Sequence, residues 1–450
     1  MNNFFIDKRG KLLFTIKNNS NDVVGANAFK CNFNECTVSI NRKHVFRGIH
    51  VNQFDKLVTC VNGKILDIII NFNETDDDYL IPKYYYLDPK TEVFEILVKK
   101  NHGHCFLSLE DDSVLVYHFN GIFREEDTKH VHFLDPFINM QLPIDANQLI
   151  VSDKDNIKNF VKKIDYVVFG STGFMGSNII NKLKLKNKNF IICNLRLQNV
   201  DEISNFLDIY KPKYVINCAG VTGSPNIFWC DDNKTETIES NVTYQLTLAK
   251  LCFDKKIHLT CFGSGGIFED DKMYSEEEEG NFKKNFYSEC RIHLENIIKN
   301  YSNVLYLRIN YPISSKKSDK NLLTKLLTYK NIESVELSIT CIDDLFFILF
   351  DMIENNEVGI CNFVNPGSIK LPEILEIYNK YNENNLHTFN IVTRSTNADN
   401  NNNNNNNNRR SYSCLQTNKL NKYNPKDIKM AIETCCKKYN ADNAYYNEDN

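Results

Sequence analysis

Three closely spaced glycines, Gly170, Gly173 and Gly176, lie between an apolar strand pattern and a helical pattern. Glycines in such a turn let the backbone approach phosphate groups, and the start of the following helix offers amide groups and a favourable dipole. The segment therefore predicts a dinucleotide site. In nucleotide-binding folds this strand normally opens the domain. Here about 160 residues precede it, which predicts a separate domain in front of it.

The composition fits two domains and restricts the partners. With 450 residues, of which 42% are hydrophobic, the chain can fill two cores. A net charge of −4 with mixed signs argues against nucleic acid or a membrane surface as a partner. The 15 cysteines are scattered, and the closest pair, Cys435 and Cys436, lacks the spacing of a metal site or a disulfide framework. We therefore expect reduced thiols, no metal, no membrane-spanning segment and a cytoplasmic protein.

The hydrophobic pattern changes about a third of the way along the chain. Over residues 1–155, short β-rich runs are broken by Asn-Gly and acidic turns, which is typical of an all-β sandwich or jelly roll. Over residues 164–435, strands alternate with helical patterns, which predicts a Rossmann fold with a doubly wound parallel sheet. We expect residues 156–163 to link the domains. An asparagine run predicts a disordered insertion at 398–410, and residues 436–450 are expected to form a tail.

The predicted cofactor site surrounds the glycine turn. No carboxylate follows the second predicted strand, where a free ribose 2′-hydroxyl would be bound, whereas Arg196 there can pair with a 2′-phosphate. NADPH is therefore expected in preference to NADH, with a solvated surface charge as the alternative interpretation of Arg196. The expected cofactor-binding residues are Gly170, Thr172, Gly173, Phe174, Met175, Gly176, Arg196, Ala219 and Gly220.

Four separate stretches of the second domain carry a family resemblance. Residues 217–241, 262–269, 286–288 and 307–315 occur in an order that resembles the reductase domain of plant and viral UDP-rhamnose synthases. These proteins are extended short-chain dehydrogenases related to dTDP-4-dehydrorhamnose reductase. The resemblance covers about residues 165–420 and includes the chain's only tryptophan. It implies a reductase that acts on the 4-keto group of a nucleotide-linked sugar.

The resemblance places the reductase chemistry on three residues. Tyr287 matches the tyrosine that donates a proton to the 4-keto oxygen, and Ser264 matches the hydroxyl that holds the same oxygen. Arg291 stands where the family has a lysine four residues after the tyrosine. Arginine keeps the charge but not the geometry of an ammonium group, so a slower reductase is expected. The expected substrate-binding residues of this domain are Thr222, Asn226 and Lys325.

Gly266 is a second departure from the family. In the single-domain synthases, the corresponding position carries a cysteine that serves as an acid when the sugar is epimerised. The glycine indicates that this domain has lost its own epimerase acid. Another part of the chain must then invert the sugar.

Five polar residues of the first domain supply a candidate. In order and spacing, His50, Lys56, His104, Tyr117 and Asp155 resemble the site of dTDP-4-dehydrorhamnose 3,5-epimerase, a cupin-type jelly roll. The resemblance implies that His50 is the base, Asp155 its orienting carboxylate and Tyr117 the acid on the opposite face. Lys56 and His104 would stabilise enolate charge. A lone histidine in a β-domain is more often structural, so it is the whole set that favours catalysis.

Two arginines and the oligomeric state complete the expectations for this domain. Arg9 and Arg47 are candidates for binding the diphosphate and the sugar. Related epimerases exchange N-terminal strands in a dimer, so the resemblance implies a homodimer through this domain, with Arg9 in a neighbour's site.

Together, the two resemblances predict a bifunctional 3,5-epimerase and NADPH-dependent 4-keto-reductase that makes an NDP-L-rhamnose. UDP is the expected nucleotide and dTDP the alternative. No dehydratase segment is recognised, so another protein is expected to supply the 4-keto substrate. Two other interpretations stay open: a binding module for NADP and a sugar nucleotide with an impaired reductase half, or an epimerase/reductase that makes a different 6-deoxy sugar.

Overall fold

The computed structural model describes residues 4–7, 10–13, 34–224, 226–269, 272–393 and 410–439. The chain divides into two units between Lys163 and Ile164. Arg9, most of the predicted asparagine-rich insertion and residues 440–450 lie outside the described residues. Within the described ranges, no helix combines the length and the apolar character needed to cross a membrane.

The first unit is built from antiparallel β-strands. In its described part they are β1 (Phe4–Asp7), β2 (Gly10–Leu13), β3 (Glu35–Asn41), β4 (Phe46–Val51), β5 (Lys56–Asn62), β6 (Ile65–Asn71), β7 (Pro82–Leu87), β8 (Glu95–Val98), β9 (His102–Ser108), β10 (Ser113–Phe119) and β11 (Lys129–His130). β1 pairs with β2, and the others form two sheets, in the orders β3-β10-β5-β8 and β11-β4-β9-β6-β7. Residues of both sheets, among them Val58, Leu115 and Phe106, meet in one buried cluster. The predicted jelly roll is confirmed.

A bulge in β4 sets the position of His50. The pairing of β4 with β9 shifts between Arg47 and His50, and Gly48 at this shift has a φ of +113°. A Cβ atom on Gly48 would lie 2.5 Å from the carbonyl oxygen of His104, so only glycine fits. Beyond the bulge, His50 lies directly opposite His104, which places the two histidines side by side.

The second unit alternates strands and helices. Its described helices are α1 (Phe174–Leu185), α2 (Val200–Tyr210), α3 (Trp229–Asp232), α4 (Lys234–Ile238), α5 (Tyr244–Asp254), α6 (Phe286–Ile298), α7 (Leu322–Leu326), α8 (Ile342–Glu354), α9 (Leu371–Tyr381) and α10 (Ile428–Tyr439). Its described strands are β12 (Tyr166–Phe169), β13 (Phe190–Cys193), β14 (Tyr214–Asn217), β15 (His258–Ser264), β16 (Met273–Tyr274), β17 (Val304–Ile309), β18 (Asn331–Glu333), β19 (Glu336–Leu337), β20 (Gly359–Asn362), β21 (Ile369–Lys370), β22 (Asn390–Val392) and β23 (Cys414–Leu415).

A parallel sheet forms the centre of this unit, in the order β13-β12-β14-β15-β17-β20. β13 pairs with β12 on one side, and the chain then crosses to β14, which pairs with β12 on its other side. The strand order reverses at this point, and a crevice is expected at the carboxyl ends of β12 and β14. Helices α1 and α8 pack on the sheet through a buried cluster that includes Ile179, Leu305 and Phe346. The predicted doubly wound α/β fold is confirmed.

Two predicted boundaries differ from the structure. The tail was predicted to begin at Cys436, but α10 continues to Tyr439. Cys436 and Tyr439 are both buried against α9. Cysteine behaves as a small apolar residue, which extends the helical pattern. The predicted linker, residues 156–163, belongs to the first unit. There the main-chain amide of His132 donates to the Asn159 carbonyl oxygen at 2.8 Å.

Candidate active sites

In the first unit, the predicted base forms a dyad with a buried carboxylate. His50 Nε2 lies 2.6 Å from Asp155 Oδ1, and the Ser152 hydroxyl donates to Asp155 Oδ2 at 3.0 Å. Burial lowers the pKa of His50 despite the carboxylate, so the imidazole is neutral at physiological pH and can accept a proton. Burial alone would raise the pKa of Asp155, but its hydrogen bonds with His50 and Ser152 outweigh burial and lower it. The carboxylate therefore stays charged.

A second polar group, buried in the same unit, contains Lys56, Asp67 and His104. His104 Nε2 lies 2.7 Å from Asp67 Oδ2, and the Lys56 ammonium donates to Asn52 Oδ1 at 2.9 Å. Burial lowers the pKa of Lys56 to about 8 and also lowers the pKa of His104. Lys56 thus keeps its proton at neutral pH and carries a positive charge where water is excluded. Such a charge can stabilise an oxyanion strongly.

Tyr117 belongs to the facing sheet. Its ring, on β10, meets the ring of His104 on β9 edge-on, with the centroids 6.2 Å apart. Burial raises the pKa of Tyr117, so its hydroxyl is protonated and able to donate. His50 and Tyr117 therefore belong to opposite sheets of the sandwich. This arrangement suits removal of a proton from one face of a sugar ring and return of a proton to the other.

The structure brings the five polar residues predicted for this site together. Arg47 is exposed beside them in β4 and donates from Nε to Asn41 Oδ1 at 2.9 Å. Three supporting residues were missed in the sequence: Asn52, Asp67 and Ser152. Asp67 had a detectable signal, since it interrupts the apolar run of β6, and a carboxylate inside such a strand needs a buried partner.

In the second unit, the glycine turn lies where the strand order reverses. Gly170 follows β12 with a φ of +69°, and a Cβ atom on it would lie 2.5 Å from the main-chain nitrogen of Ala219. A Cβ atom on Gly176 would collide with the carbonyl group of Gly170. At Gly173, just before α1, a Cβ atom would meet only the Gly170 carbonyl oxygen, at 3.5 Å. The turn is tight and its helix start is open, which fits the diphosphate of a nicotinamide cofactor.

Arg196 lies on the same edge of the sheet as this turn. It is exposed three residues beyond the end of β13, and β13 runs parallel to β12 with Cys193 beside Phe169. Thr172 is exposed within the turn. Arg196, predicted to bind the phosphate on the cofactor's ribose, and the glycine turn, predicted to bind the diphosphate, therefore lie at the same edge of the sheet.

Two side chains that were not predicted hold the loop after β14. Asn241 exchanges hydrogen bonds with the main chain of Val221, at 2.9 Å and 2.8 Å, and Gln245 donates from Nε2 to the Ala219 carbonyl oxygen at 2.8 Å. Asn241 lies in a π-helical turn, Glu239–Thr243, between α4 and α5. Such turns are frequent at functional sites, and here the turn supports the predicted cofactor residues Ala219 and Gly220.

Tyr287 and Ser264 are connected through the start of α6. Asn285 caps the helix by accepting from the Ser288 amide at 2.8 Å, and the Ser288 hydroxyl donates to the Gly266 carbonyl oxygen at 2.6 Å. Ser264 Oγ accepts from the Gly266 amide at 3.0 Å. A Cβ atom on Gly266 would lie 3.2 Å from Ser264 Oγ. Any side chain at position 266 would therefore border this hydroxyl, and glycine leaves the place open.

Arg291 is buried one helical turn after Tyr287. The guanidinium carbon lies 5.2 Å from the centroid of the Tyr287 ring, and Nη1 donates to the Phe262 carbonyl oxygen at 3.3 Å. A Cβ atom on Gly220 would lie 3.2 Å from Nη2. Within the described residues, the buried Nε has no hydrogen-bond partner. Arg291 thus holds a permanent charge between the tyrosine and the strand ends that form the cofactor crevice.

The predicted substrate-binding residues of this unit lie on two segments. Thr222 and Asn226 follow β14, and Asn226 Oδ1 accepts from a nearby main-chain amide at 3.0 Å. Lys325 lies half-buried on α7. Nearby in the sequence, the Lys320 ammonium donates to the carbonyl oxygen of Gly223, which lies between Thr222 and Asn226, at 2.9 Å. Burial, then the charges of Lys320 and Arg410, lower the pKa of Lys325. Three cations close to one another are suited to an anionic ligand.

Two groups of side chains have ligand atoms within 4.8 Å of one another, the spacing of a metal site: His50 with His130 and Asp155, and Cys341 with Asp343 and Cys435. The first group is explained by the dyad. In the second group, Ser315 donates to both oxygens of Asp343, at 2.6 Å and 3.1 Å, and the Cys341 thiol donates to a carbonyl oxygen at 3.6 Å. Because the carboxylate of each group already has hydrogen-bond partners, we assign no metal to either.

Two family models match the chain, one on each unit. The model for dTDP-4-dehydrorhamnose 3,5-epimerase matches residues 1–163, and that of the NAD dependent epimerase/dehydratase family matches residues 166–327. Fold and sites thus define a chain that joins a sugar-nucleotide isomerase domain to a Rossmann-type reductase domain.

Similar proteins show the family. The bifunctional dTDP-4-dehydrorhamnose 3,5-epimerase/dTDP-4-dehydrorhamnose reductase of Arabidopsis thaliana is 36% identical over 223 residues, which cover 48% of this chain and 74% of that protein. The chain belongs to this family of epimerase/reductases. A trifunctional UDP-glucose 4,6-dehydratase/UDP-4-keto-6-deoxy-D-glucose 3,5-epimerase/UDP-4-keto-L-rhamnose-reductase of the same plant is 34% identical over 245 residues, but the match covers only 37% of that protein. The crystal structure of the L780 UDP-rhamnose synthase from Acanthamoeba polyphaga mimivirus superposes with a TM-score of 0.56 at 26% identity, covering 62% of this chain and 100% of that one.

Proposed function

We propose that this chain converts an NDP-4-keto-6-deoxy-glucose into an NDP-L-rhamnose in two steps. The first unit inverts carbons 3 and 5, and the second unit reduces the 4-keto group with NADPH. One observation carries the proposal. A full set of candidate base, acid and oxyanion-stabilising groups in the first unit accompanies a second unit in which Gly266 leaves the place beside Ser264 open. The resemblance implies an epimerase acid at that position in the single-domain synthases. Each unit supplies what the other lacks.

The epimerisation follows from the position of the 4-keto group. Carbons 3 and 5 both flank this group, so loss of a proton from either carbon gives an enolate on the same oxygen. His50, oriented by Asp155, takes the proton from one face. Lys56 holds the charge on the oxygen, contributing about 3 kcal/mol, and His104, held by its hydrogen bond with Asp67, lies beside it. Tyr117 then returns a proton to the other face.

The reduction uses a bound nicotinamide cofactor, which supplies hydride to carbon 4. Tyr287 gives its hydroxyl proton to the 4-keto oxygen, and the Ser264 hydroxyl holds the same oxygen. Arg291, against the tyrosine ring, stabilises the negative charge left on the tyrosine oxygen. Lys325 and its neighbouring cations, Lys320 and Arg410, are assigned to the diphosphate of the sugar nucleotide.

The nucleotide and the oligomeric state are further parts of the proposal. UDP is favoured because the similar viral protein is a UDP-rhamnose synthase. A homodimer through the first unit is supported by the edge strand β3, on which Val38 and Ile40 are 56% and 69% exposed. An apolar sheet edge of this kind usually needs a cover. Arg9 would then reach the site of the partner subunit.

The epimerase is expected to have a bell-shaped pH profile. The rate should rise with pH as His50 loses its proton, at a pKa below the ordinary 6.5. It should fall as pH increases through the Lys56 pKa of about 8, because a neutral amine no longer stabilises the enolate. Deuterium exchange into the substrate, measured against pH, checks both limbs. Lys56→Gln should lower the plateau ~10²-fold and remove the alkaline fall. Persistence of that fall with an unchanged midpoint would contradict the role of Lys56.

Cofactor choice depends on Arg196. Arg196→Ala should weaken NADPH binding by about 1.5–3 kcal/mol, since a charge-assisted hydrogen bond to the 2′-phosphate is lost. NADH binding should not change. Fluorescence titration of both cofactors measures this, with Lys184→Ala, an exposed cation on α1, as the control. Equal affinity of the native protein for both cofactors would contradict the prediction.

The function is tested by incubating the protein with NADPH and either UDP- or dTDP-4-keto-6-deoxy-glucose. Cofactor oxidation and formation of the NDP-L-rhamnose are expected, faster with UDP. Failure to oxidise NADPH with both substrates would refute the reductase assignment. A faster reaction with dTDP would refute the nucleotide assignment alone.

A further inference from the structure

The buried ammonium of Lys56 is held by an uncharged partner. It donates to Asn52 Oδ1 at 2.9 Å, and both side chains are buried. Asp67 attracts the ammonium, but one oxygen of this carboxylate lies 2.7 Å from His104 Nε2. The other oxygen has no hydrogen-bond partner among the described residues. The ammonium is thus fixed by an amide rather than neutralised by a bonded carboxylate.

The side chain of Asn52 is itself fixed in one orientation. Asn52 Nδ2 donates to Thr128 Oγ1 at 3.0 Å, and this hydroxyl donates to the Arg124 carbonyl oxygen at 3.0 Å. The Thr128 oxygen therefore accepts from the amide. An ammonium group can only donate, so Asn52 must turn its oxygen towards Lys56 and its nitrogen towards Thr128.

Strand pairing holds the main chain of Asn52. Asn52 directly follows β4, and the pairing of β4 with β11 joins Val51 to Lys129. Thr128 precedes Lys129, which places it across from Asn52. The Asn101 amide donates to the main-chain carbonyl oxygen of Asn52 at 2.9 Å. The amide that holds the lysine is therefore anchored by its side chain and by its main chain.

The titratable groups that face Lys56 come from three other strands. They are His50 on β4, Asp67 on β6, and His104 and Cys105 on β9. Burial lowers the pKa of both histidines below 6.5 and raises the pKa of the Cys105 thiol well above 9.0. None of these three groups titrates near pH 8, so an alkaline fall of the exchange rate in that range reports Lys56.

The proposed epimerisation needs the charge of Lys56 to be both fixed and free. A lysine side chain has several rotatable bonds, and ordering them costs entropy. An oxyanion is stabilised best by a charge that is in place before the reaction. We propose that Asn52, oriented by Thr128, holds the Lys56 ammonium ready for the enolate oxygen without neutralising it. Asn52 is thus a positioning residue that acts through Lys56, and this role depends on the proposed epimerase function.

Two substitutions of Asn52 should shift the pH profile in opposite directions. Asn52→Leu keeps the approximate size and removes the amide. Deuterium exchange into the 4-keto substrate should slow about tenfold, and the alkaline fall should move to lower pH because the ammonium loses a partner that favours its charged form. Asn52→Asp should also slow exchange, since a carboxylate neutralises the charge, but should move the fall to higher pH.

Two further comparisons separate positioning from a structural role. Thr128→Val removes the hydroxyl that orients Asn52 and should cause a smaller loss, whereas Thr128→Ser keeps the hydroxyl and should avoid most of that loss. In the Lys56→Gln protein, Asn52→Leu should slow exchange no further, because Asn52 acts only through the lysine.

The control is His44→Asn, a histidine in a tight turn with a φ of +68°, which asparagine tolerates. Its rate and pH profile should be native. If Asn52→Leu has the native profile, or is slow with an unmoved alkaline midpoint, Asn52 is structural and the proposed role is wrong. If Asn52→Leu does not fold, Asn52→Asp decides, since a midpoint that stays or falls in that variant would contradict the role. If native protein itself exchanges neither carbon, the epimerase function fails, and the role of Asn52 with it.

Discussion

His50→Ala should abolish epimerisation while leaving the reductase half intact. Removing the base is expected to lower deuterium incorporation at carbons 3 and 5 by about 10²–10⁴-fold. The loss should be large because Asp155, which is buried and hydrogen-bonded to His50 and Ser152, is not expected to replace the base. Nuclear magnetic resonance of the sugar after incubation in heavy water measures the exchange at each carbon.

Two controls make this result specific. NADPH affinity of His50→Ala should equal that of native protein, because the residues predicted to bind the cofactor all belong to the second unit. His44→Asn should retain native exchange. Undiminished exchange in His50→Ala would place the base elsewhere and would remove the role assigned to the dyad.

Tyr287→Phe should stop hydride transfer without affecting epimerisation. Loss of the hydroxyl removes the proton donor to the 4-keto oxygen, so NADPH oxidation should fall by about 10²–10⁴-fold. NADPH affinity and deuterium exchange should stay native. Tyr329→Phe is the matched control, since Tyr329 is 50% exposed and has no part in the mechanism.

Arg291 gives this prediction a second test. Arg291→Lys introduces the lysine that the resemblance implies at this position and should raise, or at least not lower, the rate of NADPH oxidation, with epimerisation unchanged. If native protein binds NADPH and epimerises the substrate yet never oxidises the cofactor, and Tyr287→Phe changes nothing, then the second unit is a binding module.

The two folds could be predicted because their patterns are long and regular. The glycine turn at Gly170 and the alternation of strands and helices after it predicted a parallel sheet, and the short β-rich runs before it predicted a jelly roll. The small strand pairs of the second unit, such as β16 with β23 and β19 with β21, could not be predicted. Each has only two residues per strand, which is too short to show a period.

Candidate site residues could be proposed from the sequence only where one residue type carries the chemistry. Tyr287, Ser264 and His50 stand in motifs, whereas the residues that position them are distant in sequence. Asp67 meets His104 across 37 positions, and His130 reaches the dyad only because β11 pairs with β4. Such contacts depend on strand register, which a bulge shifts by one residue. No local pattern in the sequence reports them.

We propose above all that one chain inverts the sugar in its first unit and reduces it in its second. The most direct measurement is a single incubation of native protein with UDP-4-keto-6-deoxy-glucose and NADPH in heavy water, followed by identification of the product. We expect a UDP-L-rhamnose that carries deuterium at carbons 3 and 5 and the cofactor's hydride at carbon 4. A reduced D-sugar without deuterium at carbons 3 and 5, or an epimerised 4-keto sugar with NADPH unconsumed, would contradict it.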